Sequence, residues 1–299
     1  MPVFARPISV SDMPSTPPPA FDPFRIQDRL HVRLLSMRSV TISSDEWTYD
    51  DMRNSYWRLY LNRDPGASIW WSGKEMKLVP GCALLVPAWV KFDSRCEGQV
   101  DHLYLHFDVV GLGSPMVRHW FDRPMALPAD KMLEELAEYL RTTLQKGQHD
   151  DITTAFAAKS LISLAVARLF DLMEHGDGQH PSKGHLLLRH LAELTPVLPA
   201  LRRIDDNLAE PAANSELADR CGMSEDHFIR IFQKCVGQTP ARYALERRVA
   251  FAAERLVFSD DSLKMIATQA GFSNRFHFSR AFTRIIGVPP AQYRDTGRV

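Results

Sequence analysis

The strongest constraint on this chain is an internal repeat in its last hundred residues. Leu217-Ala218 recurs as Ile266-Ala267, and Gly222-Met223-Ser224 recurs as Gly271-Phe272-Ser273, each displaced by 49 positions. Phe228, Arg230, Phe232, Gly237, Pro240 and Tyr243 recur as Phe278, Arg280, Phe282, Gly287, Pro290 and Tyr293, displaced by 50. Eleven matches in one order, with a single residue inserted at the start of the second segment, imply one local structure built twice.

Each copy reads as a helix-turn-helix. Asn214 is placed to cap a short helix with Leu217 and Ala218 inward, and Gly222 supplies the left-handed residue a sharp turn needs. Ser224 is placed to cap a second helix whose core face is Phe228, Ile231 and Phe232. Glu225, Asp226, Ile229, Arg230 and Gln233 are left on the other face. In the second copy Asp261 or Ser262 starts the short helix and Gly271 turns the chain. Ser273 is expected to cap a helix with Phe278 and Phe282 inward and Asn274, Arg275, His277, Ser279 and Arg280 outward. Between the copies, Thr239-Pro240 gives an N-cap followed by proline at the first helical position. A helix over about 241–258 follows, carrying Arg247, Arg248 and Arg255, and would hold the two units at a fixed separation.

These residues closely resemble the AraC-type family of transcription regulators. The resemblance is carried by Glu216-Leu217-Ala218, Gly222-Met223-Ser224, Phe228-Ile229-Arg230-Ile231-Phe232, Gly237, Pro240, Tyr243 and Arg247. It continues through Ile266-Ala267, Gly271-Phe272-Ser273, Phe278-Ser279-Arg280-Ala281-Phe282, Gly287, Pro289-Pro290 and Tyr293-Arg294, and covers about 196–295. It implies a seven-helix domain whose recognition helices occupy adjacent major-groove segments, beside an N-terminal domain that senses a small molecule or dimerises. The implied partners are double-stranded DNA, a second copy of the chain, a small-molecule effector and RNA polymerase.

Within such a domain, Arg230 and Arg280 are the leading base readers, because a guanidinium binds guanine O6 and N7 bidentately. Phosphate contacts or internal ion pairs are their alternative roles. Arg275, His277, Ser279 and Gln233 share the outward faces, and Ile229 is suited to a thymine methyl. Asn274 suits adenine or, equally, the helix start. Lys234 and Arg284, near the helix ends, suit phosphates. Glu225 and Asp226 fit the positive end of the helix dipole better than the groove.

Upstream the texture differs. The first 23 residues hold seven prolines and read as an arm over 1–23. From 24 to 125, short apolar runs such as Trp57–Leu61, Ala83–Val86 and Leu103–Phe107 alternate with turn residues, which predicts an antiparallel barrel. The run Gly66–Pro87 resembles the cupin-like sensor barrel attached to many such regulators. Metal-binding cupins pair an HxH with later Glu and His ligands, yet no HxH occurs here and Lys91-Phe92 stands where the late histidine would fall. No metal or other cofactor is therefore expected, nor catalysis, although a cupin-type enzyme fused to a DNA reader is the alternative reading. A barrel that only dimerises is another.

His102, Tyr104 and His106 share one strand face and Leu103, Leu105 and Phe107 the other, with the histidine face expected to be an outer one. Trp57, Tyr60, Asn62, Trp70, His102, Tyr104 and His106 are the candidate pocket residues, suited to a sugar-like ligand.

In 126–175, Leu133, Leu136, Leu140 and Leu144 form one helical stripe, and a second helix follows from Ile152 to about Met173. A dimer seam is preferred for these helices over packing in cis alone. Glycines and a proline mark a linker over 176–195, leaving 196–299 for DNA, with helix-turn-helix units near 214–235 and 262–285. The expected class is thus a two-domain α+β protein: an N-terminal antiparallel barrel of cupin or jelly-roll type with two flanking helices, then an all-α domain with two helix-turn-helix units.

Charge adds little. The chain is neutral overall, but 196–299 carries 15 Lys and Arg against 12 Asp and Glu, while 1–195 carries 21 against 24. Four scattered cysteines without a CxxC pair, no leader-like start and no long apolar run predict a reduced, cytoplasmic chain away from membranes.

Overall fold

The computed structural model describes residues 30–110, 112, 114–147, 151–175 and 193–297. The arm expected at 1–23 and most of the linker expected at 176–195 lie outside them.

Nine strands form two antiparallel sheets among the described residues. They are β1 (His31–Ile42), β2 (Tyr49–Met52), β3 (Trp57–Asn62), β4 (Ala67–Trp71), β5 (Lys74–Lys77), β6 (Ala83–Val86), β7 (Phe92–Cys96), β8 (Val100–Val110) and β9 (Met125–Leu127). The five-stranded sheet runs β1-β8-β3-β6-β9 and the four-stranded sheet β2-β7-β4-β5. The expectation of a closed barrel is corrected: the two sheets share no strand pairing and face each other as a sandwich. Ile42, Tyr60, Leu84, Val86 and Val100 of the first sheet meet Ala67, Ile69, Phe92 and Cys96 of the second in one apolar cluster.

The other face of the first sheet is buried too. Trp57, Leu59, Leu61, Leu85, Leu103, Leu105 and Phe107 pack under α1 (Ser114–Trp120), α2 (Lys131–Gln145) and α3 (Ile152–His175). With both faces covered, β3 is buried along its whole length. Neither face of β8 is therefore an outer one, and the histidine face points between the sheets. On α2, Leu133, Leu140 and Leu144 are buried, and α2 and α3 both pack on β1, so the leucine stripe is used in cis rather than left for a seam. Asp130 caps α2, accepting from the Met132 and Leu133 amides at 2.8 and 3.2 Å.

After a short 3-10 turn at Thr195–Val197, seven α-helices complete the described chain. They are α4 (Leu198–Asp206), α5 (Asn214–Arg220), α6 (Glu225–Val236), α7 (Pro240–Phe258), α8 (Leu263–Gln269), α9 (Arg275–Ile286) and α10 (Pro290–Gly297). The repeat is explicit in space: α5-α6 and α8-α9 are the two helix-turn-helix units, both packed on α7 directly or through α10. Phe228 and Phe232 meet edge-on at 5.5 Å and Phe278 and Phe282 at 5.6 Å, the same aromatic pair in each copy. Thr239 caps α7 as expected, accepting from the Arg242 amide at 3.3 Å.

Some caps differ from expectation. α5 begins at Asn214, with Ala213 at the N-cap, so Asn214 lies inside the helix. α6 has Ser224 at its N-cap, without a side-chain hydrogen bond. For α9 the cap is Asn274 rather than Ser273, its Oδ1 accepting from the His277 amide at 2.8 Å. The inserted residue moved the cap by one position and replaced a serine with an asparagine.

Gly222 and Gly271 both turn the chain at positive φ, 65° and 72°. Their surroundings differ. A Cβ on Gly222 would meet no atom within 4 Å, whereas one on Gly271 would stand 2.5 Å from the Leu208 carbonyl oxygen. Gly222→Ala is expected to cost about 1 kcal/mol, the left-handed penalty alone. Gly271→Ala should cost about 1–3 kcal/mol more, because backbone must move to admit the methyl. Urea unfolding of both variants checks this; equal losses would refute the contact argument.

Candidate functional site

The exposed faces of α6 and α9 carry the groups suited to a nucleic acid. Arg230, Gln233 and Lys234 are exposed on α6, as are Arg275, His277, Arg280 and Arg284 on α9. Ser279 is half-buried. Ile229 is also half-buried and leans on the core, so less of it is offered to a groove. Neither Arg230 nor Arg280 forms an ion pair among the described residues, unlike three of the four arginines of α7. Those are consumed internally: Arg247 binds Asp205 at 2.6 Å, Arg255 binds Asp261 at 2.5 Å, and Arg248 donates to the Ala270 carbonyl at 3.3 Å. Glu225 and Asp226 sit in the first turn of α6, where its dipole favours them.

Asn274 is exposed, but its amide oxygen is engaged as the cap. One residue escaped the sequence reasoning. Phe276, 69% exposed in the first turn of α9, is a large apolar side chain on an otherwise polar face. Its break with the amphipathic pattern was the available signal.

A second site lies between the sheets. A cavity of about 580 Å³ opens off the inner face of the five-stranded sheet, with Tyr60, His102, Tyr104 and His106 in its wall. Its other wall is supplied by the C-terminal helices, through Ile286, Val288 and Tyr293. Register explains the grouping: Arg58 pairs with His106, Tyr60 with Tyr104 and Asn62 with His102 across β3 and β8. Four of the seven candidate pocket residues thus come together.

The others do not join them. Trp57 lies on the opposite face of β3, against Phe107 and Phe121 with ring centroids 6.1 and 5.0 Å away. Trp70 is 41% exposed on β4, over the outer trough of the second sheet. Asn62 is buried behind His102, its Oδ1 accepting from Nδ1 at 2.7 Å.

Burial sets the protonation in this cavity. It lowers His102 to about 3 and His106 well below its usual value, with the Arg141 and Arg58 charges adding to each respectively. It raises the Tyr56, Tyr60 and Tyr293 phenols above their ordinary range. All five groups are therefore neutral near pH 7. Arg58, which sequence reasoning missed, is the buried cation they enclose; the signal was an arginine set inside the apolar run of β3.

The C-terminal region also bonds to the sandwich directly. Arg247 on α7 reaches Asp108 on β8 at 3.0 Å, Arg33 on β1 reaches Glu254 at 3.4 Å, and Asn54 donates to the Tyr293 hydroxyl at 2.5 Å. Phe258 packs on Tyr56 and His106 with centroids near 6.0 and 5.8 Å.

Two helix-turn-helix units around a common helix define a tandem helix-turn-helix DNA-binding protein. The helix-turn-helix domain family matches residues 217–296. The multiple antibiotic resistance protein MarA of Escherichia coli is 31% identical over 93 residues, which are 31% of this chain and 73% of MarA. The chain belongs to the AraC-type family of DNA-binding transcription regulators. The MmsAB operon regulatory protein of Pseudomonas aeruginosa is 30% identical over 82 residues, so the match spans only 27% of either chain. Among solved structures, the DNA-binding domain of AdpA, a global transcriptional factor in complex with a target DNA, aligns at 30% identity with a TM-score of 0.33, covering 34% of this chain and 93% of that one. Among the described residues, no helix is long and apolar enough to cross a membrane.

Proposed function

We propose that the protein regulates transcription by reading double-stranded DNA with α6 and α9, within a DNA-binding domain at 196–299, under the control of a small molecule held in a cupin-like sandwich at 24–125 that the helices of 126–175 flank. The observation that carries this reading is the pair of recognition helices with Arg230 and Arg280 exposed at equivalent positions of the repeat and without an ion-pair partner among the described residues. Each guanidinium is free to bind a guanine edge, while Lys234 and Arg284 serve phosphates. Arg275, His277, Ser279 and Phe276 make up the rest of the α9 contact face, with Gln233 and Ile229 on α6. The Asn274 amide keeps its capping duty. The cavity between the sheets is the effector site. A sugar-like ligand fits it less well than the sequence suggested, because Trp57 and Trp70 are elsewhere.

A second copy of the chain is the partner we assign to Ile152 and Phe156, exposed by 70% and 65% on α3. Two half-sites on DNA would give such a dimer its affinity. RNA polymerase is the further partner this reading carries.

The test is Arg280→Ala. Specific binding should weaken by about 1–3 kcal/mol, roughly 5- to 150-fold, with a much smaller change on random duplex. Equal losses on both duplexes would reduce Arg280 to a phosphate contact.

A further inference from the structure

Three arginines are buried among the described residues: Arg58, Arg141 and Arg247, exposed by 1%, 2% and 8%. Two of them have counter-charges. Arg247 binds Asp205 and Asp108, and Arg141 faces Asp101 at 3.5 Å while donating to the Leu61 carbonyl at 2.7 Å. Arg58 has none among the described residues. It donates through Nη2 to Asn54 Oδ1, lies 4.7 Å from the Tyr56 ring centre and 5.3 Å from that of Phe92, and its Nε has no hydrogen-bond partner. An arginine stays charged at any physiological pH, and a buried charge without an opposite one is costly. The acidic residues at the cavity rim do not supply it: Asp50 binds Arg95 at 2.5 Å, Asp51 binds Lys91 at 2.6 Å, and Glu46 accepts from Ser43.

Arg58 lines the cavity described above. So do His102 and His106, whose Nε2 and Nδ1 are buried without partners. Because His102 donates through Nδ1 to Asn62, its Nε2 is an open acceptor. The remaining wall is largely aromatic and aliphatic, with Trp47, Tyr104, Ile286 and Val288. Its contents are thus specified: one anionic head, an apolar body, and room for a hydroxyl.

Asn54 connects this site to α10, whose Tyr293 packs on Phe282 of α9 with ring centroids 5.3 Å apart. Its Oδ1 accepts from Arg58, and its Nδ2 donates to Tyr293 of α10. We propose that the cavity binds a small organic carboxylate through Arg58, and that the bound acid competes with Asn54 for the guanidinium, altering the grip of Asn54 on α10 beside the second helix-turn-helix unit. A carboxylate is the stronger acceptor, so it displaces a neutral amide oxygen. By linkage, whatever factor the bound acid applies to the affinity for DNA, bound DNA applies to the affinity for the acid. This rests on the reading of the sandwich as an effector domain.

The full-length protein is titrated by calorimetry and thermal shift with benzoate, 4-hydroxyphenylacetate and decanoate, each beside its primary amide. At least one acid should bind at least tenfold more tightly than its amide, and Arg58→Met should abolish that preference. Arg58→Met removes a buried charge that has no counter-charge among the described residues, so its melting temperature should match or exceed the parent's. Arg58→Lys, which keeps the charge but not the fork, should bind the acid with intermediate affinity. Tyr293→Phe should still bind the acid but lose the acid-dependent change in DNA affinity. No binding by any acid, an acid bound no better than its amide, or unchanged acid binding in Arg58→Met would each overturn the site. An acid that binds through Arg58 without changing DNA affinity overturns the coupling alone. DNA binding by the apo protein is measured in parallel, so failure of the regulator reading is seen separately.

Discussion

Arg247→Met should be among the most damaging single substitutions in the chain, costing about 3–5 kcal/mol of stability. The guanidinium stands between two carboxylates, with Nε 2.6 Å from Asp205 and Nη2 3.0 Å from Asp108. The three side chains are exposed by only 9%, 7% and 10%. Removing the cation leaves two acids in a poorly solvated site, with Tyr243 on Asp205 at 2.9 Å and the partly exposed Arg33 on Asp108 at 3.5 Å as their remaining support. Burial already holds the Asp205 carboxyl above its usual range with Arg247 in place. Without Arg247 that carboxyl should take up a proton more readily still, so the damage should be smaller at pH 6 than at pH 8. Because α7 and β8 lie on opposite sides of this junction, the variant should also loosen the hold of the DNA-binding helices on the sandwich. Urea midpoints at the two pH values provide the measurement. A loss below about 1 kcal/mol at pH 8 would show that the triad is a net burden rather than a clamp.

Acid should destabilise the sandwich before ordinary carboxylates titrate. His102 and His106 are neutral in the folded chain because burial lowers them, to about 3 in the case of His102. In the unfolded chain each titrates near 6.5. Above that pH neither state carries the protons, and the full stability is present. Below it the unfolded state takes up two protons that the folded state refuses, so stability falls as pH falls. The slope is about 2.7 kcal/mol per pH unit for two such groups, and the loss by pH 5.5 is about 3 kcal/mol. It continues downward until the folded histidines themselves titrate. Denaturation series between pH 7.5 and 5.5 give the slope, and His102→Gln should halve it. A flat profile across that window would mean that these imidazoles are solvated.

Much of the C-terminal region is legible in the amino-acid order alone. A repeat gives equivalent residues the same local backbone, so Phe228 and Phe278 share a core role and Gly222 and Gly271 both turn the chain at positive φ, although only Gly271 is crowded by Leu208. Even there, details of the helix caps escaped. The cap passed from Ser273 to Asn274, because the inserted residue changed which side chain could reach the amide three positions on.

The N-terminal candidate site was only half legible. Strand alternation grouped His102, Tyr104 and His106 correctly, since period two is local geometry. It could not say what covered each face. Aromatic type alone put Trp57 and Trp70 in the pocket, yet a tryptophan serves equally under a helix, against Phe121, or at a sheet surface.

What the sequence by itself determined was the doubled helix-turn-helix, the α7 spacer and which residues of β3 and β8 share a side, because each depends on contacts within a few turns or on strict periodicity. The tertiary structure alone decided that the sheets form an open sandwich covered on the helix side, that Arg58 is enclosed without a counter-charge among the described residues, and that Tyr293 closes its cavity. Those facts arise from residues such as Asn54 and Tyr293 that are 239 positions apart, and no local pattern encodes a meeting over that distance.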